Sequence, residues 1–312
     1  MAAVGVGFLL LPILVKDPSW QNLAILVLVN ASAAAAWNLL GGYTGQVSFG
    51  QSIFFGAGAY TTGYLLARHE VLPWFGIAAG MTVALVAGVV IGFPVFRLRR
   101  HYFSIATIAM QQLVFTVVVN TKELGSATGL ELPIKEPSIL NLQFPVRDQS
   151  EYVWAALALF GLTSLVIWLY LRGRAGAYSR AIRDDEEVAR AMGVPVRRYK
   201  LFAISLSAVL TAMAGGYYGM YVLFVDPNIV LSLSQSIAIV LVAVLGGAGT
   251  LWGPLVGAAV LSFIQQQTRI HLGGGGSGLD FVIYGALVVA IAVLEPAGLV
   301  GLAGRLRRRL SR

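Results

Sequence analysis

The residues of this 312-residue chain best suited to do chemistry are uncharged and polar, and they sit inside long apolar runs. Asn38, Gly41, Gly42, Tyr43, Thr44, Gly45, Gln46, Ser48, Gly50, Gln51 and Ser52 crowd one short stretch. Their amides, hydroxyls and backbone groups can hydrogen-bond a small neutral or zwitterionic solute, but they supply no strong acid, base or nucleophile. Backbone left unpaired in lipid is costly, so a glycine-rich break survives there only when it is buried or lines a wet cavity. Transporters use broken helices of this kind to present helix ends to a solute. The same residues suit a tight turn with close helix packing, since Gly41 and Gly45 have the GxxxG spacing. Both readings stand at this point.

A second break, Leu245 to Pro254, contains Gly246, Gly247 and Gly249 and matches the first in composition. It is a candidate second copy of a structural repeat. Gln111, Gln112, Ser234, Gln235 and Gln265 to Gln267 are further polar residues in apolar surroundings. Each suits a helix-to-helix hydrogen bond as well as a solute contact.

A third segment is charged. Arg183, Asp184, Asp185, Glu186, Glu187, Val188, Ala189, Arg190, Ala191, Met192 and Gly193 read as a short helix with both ends marked. Asp184 is the expected N-cap with Glu187 three residues on, and acidic residues fill the positive first turn. Gly193 fits the left-handed residue past the end, and Pro195 stops the helix. Val188, Ala191 and Met192 form a small apolar stripe. A helix this short is marginal alone in water, so a partner surface is expected to order it.

Enzymatic chemistry finds no support. With no cysteine there is no disulfide, thiolate metal site or cysteine nucleophile, and His69, His101 and His271 lie far apart. No paired carboxylates stand out, and no lysine follows a glycine as a Walker A sequence requires. The expectation is therefore no catalytic residue, no metal site and no cofactor held by this chain. No ionisable residue lies well inside an apolar run, which disfavours a proton relay. A secondary carrier or channel working without ATP remains the alternative.

The elements around these residues follow from composition. The chain is 57% hydrophobic and only 12% charged, against roughly 25% charged in soluble domains. Charge-free runs cover 19–67, 71–96, 101–121, 152–171, 201–225, 227–268 and 281–294. Each can cross a hydrocarbon core, and the two longest must cross twice, turning at the two glycine breaks. With a short apolar segment at 1–15, the expectation is an all-α integral membrane protein of nine or ten spans with glycine-rich broken or re-entrant segments. Arg97, Arg99 and Arg100 form one basic cluster, 172–200 a second and 305–312 a third; together they hold 16 of the 22 lysines and arginines. These three face the cytoplasm by the positive-inside rule, and an even number of spans separates each pair. The organisation is one transmembrane domain, 1–304, with a cytoplasmic loop at 172–200, an outer loop at 122–151, a glycine-rich outer loop at 271–280 and a basic cytoplasmic tail at 305–312.

Glu187, Val188 and Ala189 followed by Gly193 resemble the "EAA…G" loop of ATP-binding-cassette importer permeases, with valine at the second position. The run from Asn38 to Gln51, continuing from Phe54 to Tyr60, is similar to the permeases of the branched-chain amino acid importer family. So are Ala181 to Glu187, Tyr199 to Leu201, and Leu245 to Pro254. With Thr128 to Leu130 in the outer loop, the order and spacing resemble the M-type subunit across roughly residues 25 to 300. The resemblance implies a permease subunit paired with a second, related permease, two cytoplasmic ATPase subunits that use ATP and magnesium, and an external solute-binding protein. It implies a multi-pass protein of a bacterial or archaeal inner membrane with a cytoplasmic C-terminus. Arg183, Asp184, Asp185, Glu187, Val188, Ala189, Met192 and Gly193 would couple to the ATPase. Asn38, Gly42, Tyr43, Gly45, Gln46, Ser48, Gln51, Gly246, Gly247 and Gly249 would line or gate the path. Leucine, isoleucine and valine are the leading solutes, with urea the alternative.

Overall fold

The computed structural model describes residues 17–96, 100–145, 149–271 and 298–301. The apolar segment 1–15, Arg97, Arg99, the loop 272–280, the span 281–294 and the tail 305–312 lie outside these residues.

Pro18–Leu40 forms α1, opened by Asp17, whose carboxylate accepts the Ser19 N–H at 2.9 Å, and by Pro18 in the first turn. Gln51–His69 is α2, Pro73–Val95 is α3 and Arg100–Val119 is α4. Ser150–Arg172 (α5) leads into two short helices, Arg174–Asp184 (α6) and Glu186–Ala191 (α7). Val196–Val222 (α8) is the longest of the described helices at 27 residues, about 40 Å. A single turn, Pro227–Val230 (α9), precedes Leu233–Gly247 (α10), and Gly253–His271 (α11) follows. Six stretches are long and apolar enough to cross a membrane among the described residues: α1, α3, Tyr102–Val119 of α4, α5, α8, and α9 with α10. The chain is thus an all-α membrane protein.

Helices α1, α2 and α8 form the centre. Trp37, Phe54, Phe55, Leu28, Ile25 and Ile204 are fully buried there. Small residues let these helices approach closely, as association in lipid requires. A β-carbon at Gly58 of α2 would lie 1.9 Å from the Ala212 carbonyl oxygen of α8. One at Gly215 of α8 would lie 1.9 Å from the Phe55 carbonyl oxygen of α2. By contrast, α3 and α4 stand at the periphery, exposing Phe75, Val86, Val90, Phe93, Ile105 and Val117. Exposed apolar residues of this kind are what lipid contact asks for.

The two ends of the bundle differ. At one end, the segment after α4 is more than a loop: two 3-10 turns (Lys122–Leu124 and Ser126–Thr128) lead to β1 (Leu130–Glu131). This strand pairs antiparallel with β2 (Phe224–Val225), Leu130 opposite Val225. Gly129, at φ +81, is required there, because a β-carbon would meet the Val225 carbonyl oxygen at 2.7 Å. The opposite, basic end carries α6, α7 and both glycine breaks.

Candidate functional site at the meeting of the two glycine breaks

The first break begins where α1 runs out of hydrogen bonds. A helix end leaves four carbonyls without intrahelical donors, and here each finds one. Gly41 N donates to Trp37 O, Gly42 N and Tyr43 N both donate to Asn38 O, and Gln46 N donates to Leu40 O, all at 2.9 Å. The Thr44 hydroxyl donates to Leu39 O at 2.9 Å. Gly45 reverses the chain in the left-handed region, φ +72.

The segment into α2 is then fastened from both sides. Trp37 Nε1 donates to Ser48 O at 2.8 Å, and the Ser104 hydroxyl to Val47 O at 2.7 Å. Phe49 N donates to Thr107 Oγ1 at 3.0 Å. Ser48 Oγ accepts from Gly50 N at 3.2 Å. Gln51 opens α2, and its Nε2 donates to Ser207 Oγ on α8 at 2.9 Å. Gln46, Ser48 and Gln51 are all buried.

The second break runs from the end of α10. Gly247 and Gly249 take φ of +125 and +80, and the Thr250 hydroxyl donates to Gly247 O at 2.8 Å. A β-carbon at Gly246 would lie 1.8 Å from Gly253 O, so α10 and α11 meet backbone to backbone.

One side chain of α1 joins the two breaks, bonding to a residue 211 positions away. Gly249 N donates to Asn38 Oδ1 at 2.8 Å, and Asn38 Nδ2 donates to Thr250 O at 2.8 Å. The carboxamide reads a donor and an acceptor of the second break as a peptide group would. Gly42 makes room for this clasp: its β-carbon would fall 1.8 Å from Asn38 Oδ1 and 2.4 Å from Gly249 N. Both breaks lie at the same end and touch.

Arg183 of α6 closes the junction. Its Nη1 donates to Gly42 O at 2.9 Å, and a β-carbon at Gly249 would come within 2.7 Å of the same nitrogen. Tyr43 is buried beside it. Desolvation pushes the Tyr43 phenol up to about 12, against the smaller opposing pull of Arg180 and Arg183.

Helix α7 differs from expectation at its first turn. Asp184 is the last residue of α6, and Asp185 is the N-cap of α7, accepting Glu187 N at 2.8 Å and Val188 N at 3.0 Å. The reason is the break between the helices: Asp185 is extended, at φ −154 and ψ 115, and only that residue can turn its carboxylate onto the new helix. The other end follows the expected pattern. Gly193 is left-handed at φ +83, its N–H donates to Arg190 O and Val194 N donates to Ala189 O, both at 3.0 Å. These two bonds make a Schellman motif.

Intramolecular contacts hold α7 in place. Ala189 is buried against Ile182 and Val196, and Glu186 pairs with Lys200 of α8 at 2.6 Å and with Arg190 at 3.1 Å. The Lys200 side chain is 5% exposed. An apolar stripe of Val188, 58% exposed, and Met192, 80% exposed, runs along the outward side of α7, flanked by exposed Glu187 and Arg190. Sequence reasoning grouped Val188, Ala191 and Met192 correctly as one face, but it missed the Glu186–Lys200 pair and the reach of Arg183 to Gly42. Neither contact has a local sequence signal. Physically, the arrangement is a linkage: α7 is pinned to a spanning helix, α6 is bonded to the first break, and Asn38 ties the first break to the second.

The pattern described as "Branched-chain amino acid transport system / permease component" matches residues 19–292. Among curated proteins, the high-affinity branched-chain amino acid transport system permease protein LivM of Escherichia coli (strain K12) is 27% identical, aligning 89% of this chain with 69% of that protein. LivH of the same organism is 22% identical, over 87% of this chain and 91% of LivH. A probable branched-chain amino acid transport permease protein LivM of Methanocaldococcus jannaschii is also 22% identical, over 84% and 88%. No solved structure matches. With most of its length matched, and with its helices built around the very segments that carry the resemblance, the chain belongs to the family of branched-chain amino acid transport permeases.

Proposed function

We propose that this chain is the membrane-spanning subunit of an ATP-driven importer of branched-chain amino acids, working beside a second, related permease. Two ATPase subunits on the basic, cytoplasmic end supply the driving force, and an external binding protein delivers the solute. The observation that carries this reading is α7: an ordered helix whose apolar stripe of Val188 and Met192 projects away from the chain, while its other contacts lead into the bundle. Displacement of α7 by a partner passes to α8 through Glu186 and Lys200. Displacement of α6 passes to both glycine breaks through Arg183 and Asn38. In this reading Glu187 and Gly193 present the helix to the ATPase, and Gly42, Tyr43, Gly45, Gln46, Ser48, Gln51, Gly246, Gly247 and Gly249 form the part of the path that opens and closes. The buried bonding of the breaks supports a gate held shut.

Affinity purification of the tagged chain in mild detergent, followed by mass spectrometry, tests the assembly. Stoichiometric recovery of an ATPase and a second permease is expected, and Met192→Asp should lose the ATPase while keeping the permease. A chain that purifies alone and still moves leucine without ATP would make it a secondary carrier or channel.

A further inference from the structure

A cavity of about 200 Å³ lies among α1, α2, α8, α9, α10 and α11. Five uncharged polar side chains line it: Asn30, Tyr218, Gln235, Ser262 and Gln265. Val29, Phe55, Val242 and Leu261 supply apolar wall, and no carboxylate or cation lines it. Two larger recesses, around Val90 and around Trp168, are by contrast lined mainly by aliphatic and aromatic side chains at the periphery.

Carboxamides in membrane helices ordinarily bond to a neighbouring helix. Among the described residues, no hydrogen bond joins the side chains of Asn30, Gln235, Ser262 or Gln265 to another group, although Ser262 is only 6% exposed. Carboxamides and hydroxyls lining a hollow between lipid-spanning helices can bond a polar group that enters it, so this cavity suits a polar occupant. A carboxamide offers N–H to a carboxylate and C=O to an ammonium. Three of them with a hydroxyl complement a group that carries both charges and is neutral overall. The apolar wall complements an aliphatic chain. A net-charged solute would find no counter-ion.

We propose that this cavity is a binding site for a zwitterionic amino acid with an aliphatic side chain, held at its charged end by Asn30, Gln235, Ser262 and Gln265. The proposal rests on the importer reading for its solute class. The site also has a mechanical connection to the breaks. Asn30 stands two turns from Asn38 on α1, about 12 Å along the helix, and Val242 stands one turn from Gly246 on α10. Filling the cavity and releasing the clasp thus act on the same two helices.

The chain contains no cysteine, so Ser262→Cys places a single thiol in the cavity with almost no change of shape. In the assembled importer, reconstituted in liposomes, modification by methyl methanethiosulfonate is followed by intact mass. Millimolar leucine should slow modification of Ser262→Cys at least tenfold, while lysine and glutamate should not. Ser164→Cys, in the apolar recess beside Trp168, should be indifferent to leucine. Gln265→Leu should raise the KM for leucine uptake about tenfold, the factor set by losing one hydrogen bond to a charged group. Unprotected modification of Ser262→Cys would mean that the cavity holds water only, and no modification at all would mean that it is closed to solutes. Either result overturns the site. Leucine uptake by the unmodified importer is measured in parallel, and its absence would instead remove the importer reading.

Discussion

Asn38→Ala isolates the clasp between the two breaks. The substitution removes two 2.8 Å hydrogen bonds and leaves the Gly249 N–H and the Thr250 carbonyl without their partner. An unsatisfied buried donor or acceptor costs about 1–3 kcal/mol. Both groups are only part-buried and water can reach them, so the combined loss falls at the low end, about 2–4 kcal/mol. For a chain of this size roughly 2 °C of melting midpoint accompanies each kcal/mol, which sets the expected fall at roughly 4–8 °C. The assay is loss of the monodisperse assembled complex on heating, read by size exclusion. Asn38→Asp separates geometry from chemistry. It keeps an acceptor for Gly249 N–H but turns a carboxylate oxygen toward the Thr250 carbonyl, so it should be no better than alanine despite its shape. If the clasp couples the breaks to the ATPase, both variants should also raise basal ATP hydrolysis relative to transport. An Asn38→Ala complex with an unchanged midpoint and an unchanged ratio of transport to hydrolysis would refute the reasoning.

Three further outcomes follow from the same geometry. Glu186→Ala should destabilise the complex more than Lys200→Met, because the first removes the carboxylate 2.6 Å from an ammonium that is only 5% exposed and the second leaves a part-exposed Glu186 still paired with Arg190; thermal midpoints of the two variants compare them. Gly193→Pro should uncouple ATP hydrolysis from transport with the protein still in the membrane. Proline cannot take φ +83 and deletes the N–H that bonds Arg190 O, and wild-type uptake in that variant would count against a docking role for α7. Burial holds the Tyr43 phenol protonated to about pH 12, so stability from this group is complete below pH ~10, the unfolded value, and falls as pH rises toward 12. Tyr43→Phe should blunt that alkaline loss when unfolding is compared at pH 9 and pH 11.

The six long apolar helices among the described residues were legible because charge-free length is a direct consequence of lipid as solvent. The turns at Gly41 to Gly45 and Gly246 to Gly249 were legible because glycine marks them. The end of α7 was readable from Gly193 and Pro195, where one conformation and one missing donor settle the matter. Its start was not. Asp184 and Asp185 are equally good caps by type, and only the backbone of Asp185 decides between them. Hardest to read were contacts across long separations. Nothing near Asn38 announces Gly249, and nothing near Arg183 announces Gly42. The cavity was half visible, since Gln235 and Gln265 stood out as polar residues in apolar runs, whereas Asn30 beside the alanine-rich stretch of α1 did not. The outer segment was expected as loop, and its strand pairing depends on Phe224 and Val225, almost a hundred residues away.

The central claim is that this chain carries branched-chain amino acids across a membrane at the expense of ATP used by its partners. The most direct test is reconstitution of the complete complex, with its binding protein, in liposomes loaded with ATP regenerated on the side that α7 faces. The account predicts that labelled leucine accumulates against its gradient, that omitting ATP abolishes the accumulation, and that Glu187→Lys reduces it while hydrolysis continues. Leucine equilibration that is unchanged without ATP, or complete indifference to leucine, isoleucine and valine, would contradict it.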